Sequence, residues 1–154
     1  MNDFHYRDQR LCCENVAVAA IAEQVGTPFY LYSYKTLKNH FHVFDQAFAT
    51  IPHIICFAVK SNSNIAILRI FVSEGGGVDI VSGGELFRAL QAGVDPRKVV
   101  YSGVGKRLDE IEYALKSNIL MFNVESSQEL EEIHACAKKL GQRAGIALRV
   151  NPDV

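Results

Sequence analysis

Five short apolar, β-branched runs recur along the chain, and this repeat constrains the fold more than any other feature. They are Ile54 to Val59, Val78 to Val81, Val99 to Tyr101, Leu120 to Val124 and Ala147 to Val150. A helix-like segment separates each run from the next, so that strands begin about every twenty-odd residues, the minimum for a strand, a helix and two connections. Because the runs lack polar alternation, they suit strands covered on both faces. The pattern predicts an α/β fold with parallel strands joined by helical crossovers.

Serine and glutamate residues mark where two of the intervening helices begin. Ser82 with Glu85, and Ser126 with Glu129, have the spacing of a capping box, in which the hydroxyl and the carboxylate both accept hydrogen bonds from the first turn. Apolar side chains then follow at helical spacing, which is typical of a helix packed on a sheet. Ser33 is a candidate cap for a further amphipathic helix upstream of the first predicted strand.

Lys60 ends the first apolar run and is followed by the polar segment Ser61 to Asn64, which is predicted to open a helix. An amine at an apolar boundary loses solvation in its charged form, so its neutral, nucleophilic form becomes more accessible. Such an amine can form a Schiff base with a carbonyl substrate or with pyridoxal phosphate. Taken alone, a Val-Lys pair at a strand end is more typical of a surface lysine whose stem lies along the strand.

Polar residues follow every one of the five predicted strands, and this favours the functional interpretation of Lys60. In parallel βα folds the carboxyl ends of the strands carry the chemistry, because short loops there project side chains and helix N-termini toward one crevice. Each residue alone has a simpler explanation: the serines and glutamates as helix caps, Asp79 as the partner of a nearby cation, and Arg149 as a salt bridge at the rim. The residues that share this position are Lys60, Asp79, Ser82, Ser102, Gly103, Glu125, Ser126, Arg149 and Asn151.

Five motifs have the order and spacing of a known family. They read Phe57-Ala58-Val59-Lys60-Ser61-Asn62, Gly77-Val78-Asp79-Ile80-Val81-Ser82-Gly83-Gly84-Glu85-Leu86, Tyr101-Ser102-Gly103-Val104-Gly105-Lys106, Phe122-Asn123-Val124-Glu125-Ser126 and Leu148-Arg149-Val150-Asn151-Pro152-Asp153. From about Pro28 onward the chain resembles the diaminopimelate decarboxylases, a family of fold-type III, alanine-racemase-like enzymes that depend on pyridoxal phosphate. The Ser-Gly-Gly-Glu-Leu and Arg-Val-Asn-Pro segments favour this family over ornithine or arginine decarboxylases and alanine racemases.

The resemblance implies the N-terminal part of a (β/α)8 TIM barrel, about five parallel βα units long, with pyridoxal 5'-phosphate as the cofactor. By that match Lys60 is the catalytic residue that holds the cofactor as an internal aldimine, and Asp79, Glu85 and Arg149 lie near the lysine and the cofactor. The implied reaction is decarboxylation of meso-2,6-diaminopimelate at its D-configured carbon, which gives L-lysine and CO2 as the last step of lysine biosynthesis. A homodimer with shared active sites is also implied.

The resemblance further predicts how the chain is divided. Residues 1–27 correspond to an N-terminal segment that packs with a β domain in the family, and residues 28–154 to the N-terminal portion of the cofactor-binding barrel. The family's proteins are considerably longer, so the remainder of the barrel and the C-terminal β domain are absent from this sequence. The chain is therefore expected to be an incomplete, inactive fragment, or one completed by other copies, because an open parallel sheet leaves an edge unpaired.

The composition predicts a folded, soluble protein, and the cysteines predict reduced thiols and a cytoplasmic location. At 154 residues and 49% hydrophobic, the chain can bury a sizeable core. Its net charge of −1 and its scattered Lys and Arg give no case for nucleic acid, and no apolar stretch suits a membrane span or a signal peptide. The four cysteines and five histidines lack the spacing of a metal site or a disulfide framework, so neither is predicted.

Two near-matches to phosphate-binding motifs fail, and three alternative functions stay open. Gly103-Val104-Gly105-Lys106 lacks the first glycine and the final Ser or Thr of a Walker loop, and Gly75-Gly76-Gly77 lacks the third glycine of a dinucleotide fingerprint.

The expected partner is a small-molecule amino-acid substrate. Another decarboxylase of the same family, of the ornithine, arginine or carboxynorspermidine type, is one alternative. The others are a non-catalytic module that binds pyridoxal phosphate and an inactive half-barrel that acts by association.

Overall fold

The computed structural model describes residues 2–152, and the chain divides into two compact units, residues 1–52 and 53–154. Asp153, the last residue of the fifth motif, lies outside the described residues. None of the described helices is both long and apolar enough to cross a lipid bilayer.

The first unit combines a small antiparallel sheet with two helices. Its elements are β1 (Phe4–Arg7), β2 (Arg10–Cys13), β3 (Val16–Ala17), α1 (Val18–Val25) and α2 (Tyr34–Ala47), with the strands in the order β1-β2-β3. Ser33 caps α2 as predicted, because its hydroxyl accepts a hydrogen bond of 3.0 Å from the Thr36 N–H. The Lys35 N–H and the Ser33 hydroxyl both donate to the Glu14 carboxylate and hold its pKa below its usual range. The start of α2 is thereby tied to the loop after β2.

The second unit is a parallel sheet whose strands alternate with helices, which confirms the predicted α/β class. Its strands are β4 (Cys56–Ala58), β5 (Gly77–Ile80), β6 (Val99–Tyr101), β7 (Met121–Val124) and β8 (Ile146–Leu148). Its helices are α3 (Ile65–Ser73), α4 (Gly83–Ala92), α5 (Leu108–Lys116) and α6 (Ser127–Leu140). The strands pair in sequence order, all of them parallel. Each predicted run overlaps one strand, although β5 and β8 begin one residue before their runs. Strand β4 covers only the middle of its run, and the chain turns after Ala58.

One face of this sheet contributes to the core, and the other carries two polar side chains, Asp79 and Asn123. One face packs against the helices, and Val78, Ile80 and Tyr101 on it are fully buried. Together with helix residues they belong to one core, which includes Val78, Ile80, Val99, Tyr101, Phe122, Val124, Leu86, Ala89, Ile111, Ile133 and Ala137. Asp79 and Asn123 lie on the opposite face, because successive residues of a strand alternate between faces. Polar chemistry can therefore be placed on the opposite face without disturbing the core.

The two predicted serine caps are present, but the carboxylates of the paired glutamates accept hydrogen bonds from a residue other than the one that a capping box predicts. Ser82 and Ser126 accept hydrogen bonds of 3.2 Å from the N–H groups of Glu85 and Glu129. Each glutamate carboxylate then accepts a hydrogen bond of 2.8 Å from the N–H group of the residue before the serine, not from the serine itself. One side chain thus joins the end of each strand to the start of the following helix.

Candidate cofactor site at the carboxyl ends of the strands

Lys60 lies in a one-turn 3-10 helix, Val59–Ser61, that directly follows β4. Val59 is fully buried and forms the predicted apolar boundary, whereas Lys60 is exposed. The prediction that the Lys60 amine is desolvated is therefore wrong for residues 2–152. The physical reason is that the strand ends at Ala58 and the following turn leaves Lys60 in water.

The turn that carries Lys60 is held in place by its neighbours and not by the lysine. The Ser61 hydroxyl donates a hydrogen bond of 2.7 Å to the Ala58 carbonyl. The turn contacts β5, which contains Asp79, and α4, whose first turn contains Glu85. Within residues 2–152, no hydrogen bond or salt bridge occupies the Lys60 amine. That amine is therefore free to react with an incoming carbonyl group.

Asp79 belongs to a chain of hydrogen bonds that crosses three neighbouring strands. The Ser102 hydroxyl, just after β6, donates to Asp79 Oδ1 at 2.6 Å, and the Asn123 Nδ2 group on β7 donates to the Ser102 oxygen at 2.9 Å. The register places Asp79 beside Ala58, two residues before Lys60. The sheet therefore brings Asp79 to the strand end where the Lys60 turn begins.

Cys56, on β4, is a poor candidate for a nucleophile at this site. Burial raises the pKa of the Cys56 thiol, and the Asp79 carboxylate raises it further. A thiol with a raised pKa stays protonated near neutral pH and is unreactive. Among residues 2–152, no group of three or more His, Cys, Asp or Glu side chains could hold a metal ion.

Arg149 lies just beyond β8 and pairs with Glu125, just beyond β7. Arg149 Nη1 lies 3.0 Å from Glu125 Oε1, and the same oxygen accepts a hydrogen bond of 3.2 Å from the Gly103 N–H. The Glu125 side chain is only 9% exposed, whereas that of Arg149 is 53% exposed. The guanidinium therefore remains open to solvent, where an anionic group can reach it.

Two carboxylates lie at the start of α4 and make it a poor place for an anionic ligand. The Gly83 N–H donates to Glu110 Oε1 at 2.8 Å, and the Glu85 carboxylate accepts from the Val81 N–H. A phosphate group at this helix end would meet two carboxylates, which opposes the favourable helix dipole. The structure thus gives Glu85 a capping role beside the Lys60 turn.

Lys106 is a buried lysine whose importance the sequence analysis missed. Its amine donates to the Gly103 and Asn123 carbonyls at 2.7 and 2.9 Å and to the Glu129 carboxylate at 2.5 Å. It also lies 5.5 Å from the centre of the Tyr101 ring. Burial raises the pKa of the Tyr101 hydroxyl, so the ring stays neutral. The sequence signal was a lysine in a glycine-rich loop followed by a capping glutamate, and neither feature specifies burial.

The predicted site residues lie at one end of the sheet, and the structure of residues 2–152 shows no hydrogen bond or salt bridge between them. Lys60, Asp79 and Arg149 lie at or just beyond the carboxyl ends of their strands, and Glu85 lies in the first turn of α4. An unpartnered primary amine suits covalent attachment of an aldehyde, and the carboxylate and the guanidinium can orient its polar groups. The described residues therefore fit a carbonyl cofactor held through the lysine.

The fold and the site together define a partial α/β barrel with an exposed lysine at the carboxyl end of its first strand. Residues 34–154 match the family model described as the pyridoxal-binding domain of pyridoxal-dependent decarboxylases. The chain therefore belongs to the pyridoxal-dependent decarboxylase family, whose cofactor is pyridoxal phosphate. This membership confirms the predicted fold and cofactor.

Individual relatives agree with the diaminopimelate decarboxylase resemblance. The chain is 54% identical to the diaminopimelate decarboxylase of Haemophilus influenzae and 49% identical to that of Pseudomonas aeruginosa, over all of this chain and 37% of each relative. It matches the crystal structure of the M. jannaschii diaminopimelate decarboxylase in complex with L-lysine at a TM-score of 0.95 and 35% identity, over 100% of this chain and 38% of that one. The chain thus spans little more than a third of the length of these relatives.

Proposed function

We propose that the complete protein carrying this chain is a pyridoxal-phosphate-dependent diaminopimelate decarboxylase. Its reaction would release CO2 from the D-configured carbon of meso-2,6-diaminopimelate and leave L-lysine. The observation that carries the proposal is the exposed Lys60 amine, which has no partner within residues 2–152, at the carboxyl end of a parallel sheet. The 54% identity to a diaminopimelate decarboxylase supports the choice of substrate.

Lys60 is the catalytic residue in this proposal. Its Nζ atom would hold the cofactor at the aldehyde carbon. When bound, pyridoxal phosphate supplies an electron sink for the electron pair left on the substrate as CO2 departs. The same Nζ atom would also hold a proton and deliver it to the substrate carbon.

Asp79, Glu85 and Arg149 are proposed to act around the cofactor. The Asp79 carboxylate lies beside Ala58, near the start of the Lys60 turn, and can orient the Lys60 amine or a cationic group of the cofactor. The exposed guanidinium of Arg149 can bind a carboxylate or phosphate. Glu85 has the weakest case for cofactor contact, because its carboxylate already serves the Val81 N–H, and it is proposed to fix the helix beside Lys60.

The proposal also includes the setting of the domain. Residues 1–27 would pack with a β domain, residues 28–154 would form the first part of the barrel, and the protein would act as a cytoplasmic homodimer in the last step of lysine biosynthesis. In the described residues, β4 and β8 each pair with one strand only, which is consistent with further strands closing the barrel. The fold of the relatives supports this arrangement over a half-barrel that acts alone.

The proposal is tested with the complete protein and two lysine variants. We expect the wild type and Lys116→Ala, an exposed helix lysine that serves as the matched control, to release CO2 and L-lysine from meso-diaminopimelate. Lys60→Ala should form neither product and should lack the absorbance of a lysine-bound cofactor. Equal turnover of L-ornithine or L-arginine by the wild type would contradict the proposed substrate. Cofactor binding without CO2 release from any of these amino acids would indicate a non-catalytic module instead.

A further inference from the structure

Ser102 and Asn123 form a hydrogen-bonded pair behind Asp79 whose direction is fixed by chemistry. An ionised carboxylate only accepts hydrogen bonds, and a hydroxyl has a single proton to donate. Ser102 must therefore give its proton to Asp79, at 2.6 Å, and accept from the Asn123 amide, at 2.9 Å. If the Asn123 amide were turned so that its oxygen faced Ser102, that oxygen and Asp79 Oδ1 would compete for the single proton of the Ser102 hydroxyl. Only the observed order satisfies all three groups.

The backbone positions of both residues are rigidly held. The Ser102 N–H donates a hydrogen bond of 2.8 Å to the Ile80 carbonyl, so that the residue next to Asp79 in β5 also holds Ser102. The Asn123 carbonyl accepts from the buried amine of Lys106 at 2.9 Å. The hydroxyl and the amide therefore reach Asp79 from fixed positions, at little further cost in conformational entropy.

Only one oxygen of the Asp79 carboxylate is used by this pair. Ser102 contacts Oδ1, and within residues 2–152 no hydrogen bond occupies Oδ2. Asp79 is partly buried beside Ala58, the last residue before the Lys60 turn. A carboxylate whose first oxygen is anchored cannot rotate freely, so its second oxygen keeps one direction.

We propose that Ser102 and Asn123 are positioning residues that orient the Asp79 carboxylate toward the cofactor held by Lys60. The inference rests on the proposed function and adds two residues to the site. Neither residue would touch the reacting atoms, since both act through Asp79. Their contribution is to make Asp79 a preorganised acceptor at the carboxyl end of β5.

The test measures cofactor affinity of the complete protein, because a change in turnover alone would not identify the cause. Apoprotein is titrated with pyridoxal phosphate by absorbance, and the urea midpoint of each apo variant reports folding. We expect Ser102→Ala to weaken binding by roughly tenfold, in line with the loss of one hydrogen bond to a charged group. Ser102→Thr, which keeps the hydroxyl, should stay within about twofold of wild type. In the Asp79→Ala background, Ser102→Ala should have no further effect on binding.

Asn123 provides an independent measurement that separates positioning from packing. Asn123→Asp keeps the size of the side chain but introduces a second carboxylate that competes for the one Ser102 proton. Positioning therefore predicts that Asn123→Asp weakens cofactor binding more than Asn123→Ala does. A packing role predicts the reverse order, because aspartate is nearly isosteric with asparagine. This pair decides the question even if Ser102→Ala does not fold.

The outcomes distinguish this inference from the proposed function. If borohydride reduction of the wild type labels a residue other than Lys60, the proposed function fails and the inference fails with it. If Lys60 is labelled but Ser102→Ala weakens binding equally with and without Asp79, only the positioning role is overturned. Loss of the Ser102→Ala effect in the Asp79→Ala background supports both.

Discussion

Two lysines that follow different strands of the same sheet have opposite surroundings. Lys60, just after β4, is exposed, and within residues 2–152 its amine makes no hydrogen bond or salt bridge. Lys106, in the loop after β6, has a fully buried side chain with three hydrogen-bond partners. Both occur in short motifs beside apolar strands, so residue type and position along the strand do not separate a reactive lysine from a structural one.

The difference follows from the cost of burying a charge. An ammonium group taken out of water is stable only when it is paired and hydrogen-bonded. Lys106 has the Glu129 carboxylate and two backbone carbonyls, and the Tyr101 ring adds a cation–π contact. Its three N–H groups are used, so it cannot bind a cofactor without losing these contacts. Within the described part of the chain, the Lys60 amine has no such hydrogen bonds or ion pairs to lose.

The largest expected effect concerns chemical reactivity of the two amines. In the apo form of the complete protein, a small amine-acylating reagent should modify Lys60 at least about 100-fold faster than Lys106, because Lys106 reacts only after local unfolding. Mass spectrometry of peptides from a time course measures both rates, with the exposed Lys116 as the reference. Comparable rates at Lys60 and Lys106 would contradict the contrast between an exposed and a buried amine.

The second effect concerns stability. Lys106→Met should lower the free energy of unfolding by about 3–5 kcal/mol, because it leaves the Glu129 carboxylate buried without its partner. Lys116→Met is the matched control, since it removes an exposed lysine paired with Glu112 on the same helix, and it should stay near wild type. Urea unfolding of the apoprotein measures both. A Lys106→Met protein as stable as the control would show that the buried pair is unimportant.

A third, smaller effect tests whether the unpaired charge causes that loss. The double variant Lys106→Met/Glu129→Leu should recover part of the stability, because both buried charges are then removed together. The Glu125 N–H and the Gly103 and Asn123 carbonyls still lose their partners, so recovery should be incomplete. The urea midpoint should fall between those of Lys106→Met and the wild type. A double variant less stable than Lys106→Met would show that the carboxylate tolerates the loss of its lysine.

The smallest expected effect tests the N-terminal cap of α6, the helix that contains Glu129. Ser126→Ala should cost about 1 kcal/mol, because the N-cap hydroxyl that accepts from the Glu129 N–H is lost. Ser127→Ala, one residue further along, removes a hydroxyl that donates to the exposed Gln128 side chain, and it should change stability by less than half as much. Equal losses in the two variants would remove the argument that Ser126 acts as a cap.

The sequence predicted the elements well because their signals are local. Apolar runs predicted the five strands, and Ser82 and Ser126 were correctly identified as caps. The exact partners of Glu85 and Glu129 were not predictable, since the choice between two adjacent N–H groups depends on how each strand leaves the sheet. Local spacing cannot decide between donors that lie one residue apart.

The parts of the site that sequence reasoning missed depend on register between strands. Ser102 and Asn123 meet Asp79 only because β5, β6 and β7 are adjacent and in register. Lys106 can be buried only because Glu129 lies beside its amine. Glu129 belongs to the first turn of α6 and is far from Lys106 in sequence. Conversely, Lys60 was expected to be desolvated, and its exposure follows from a turn that the apolar run did not predict.

The most direct measurement of the central claim is the site of cofactor attachment. The complete protein is loaded with pyridoxal phosphate, reduced with borohydride, digested and mapped by mass spectrometry. We predict that the reduced cofactor is found on Lys60 and that Lys106 is unmodified. A label on Lys106 or on any other lysine, with Lys60 unmodified, would contradict the account.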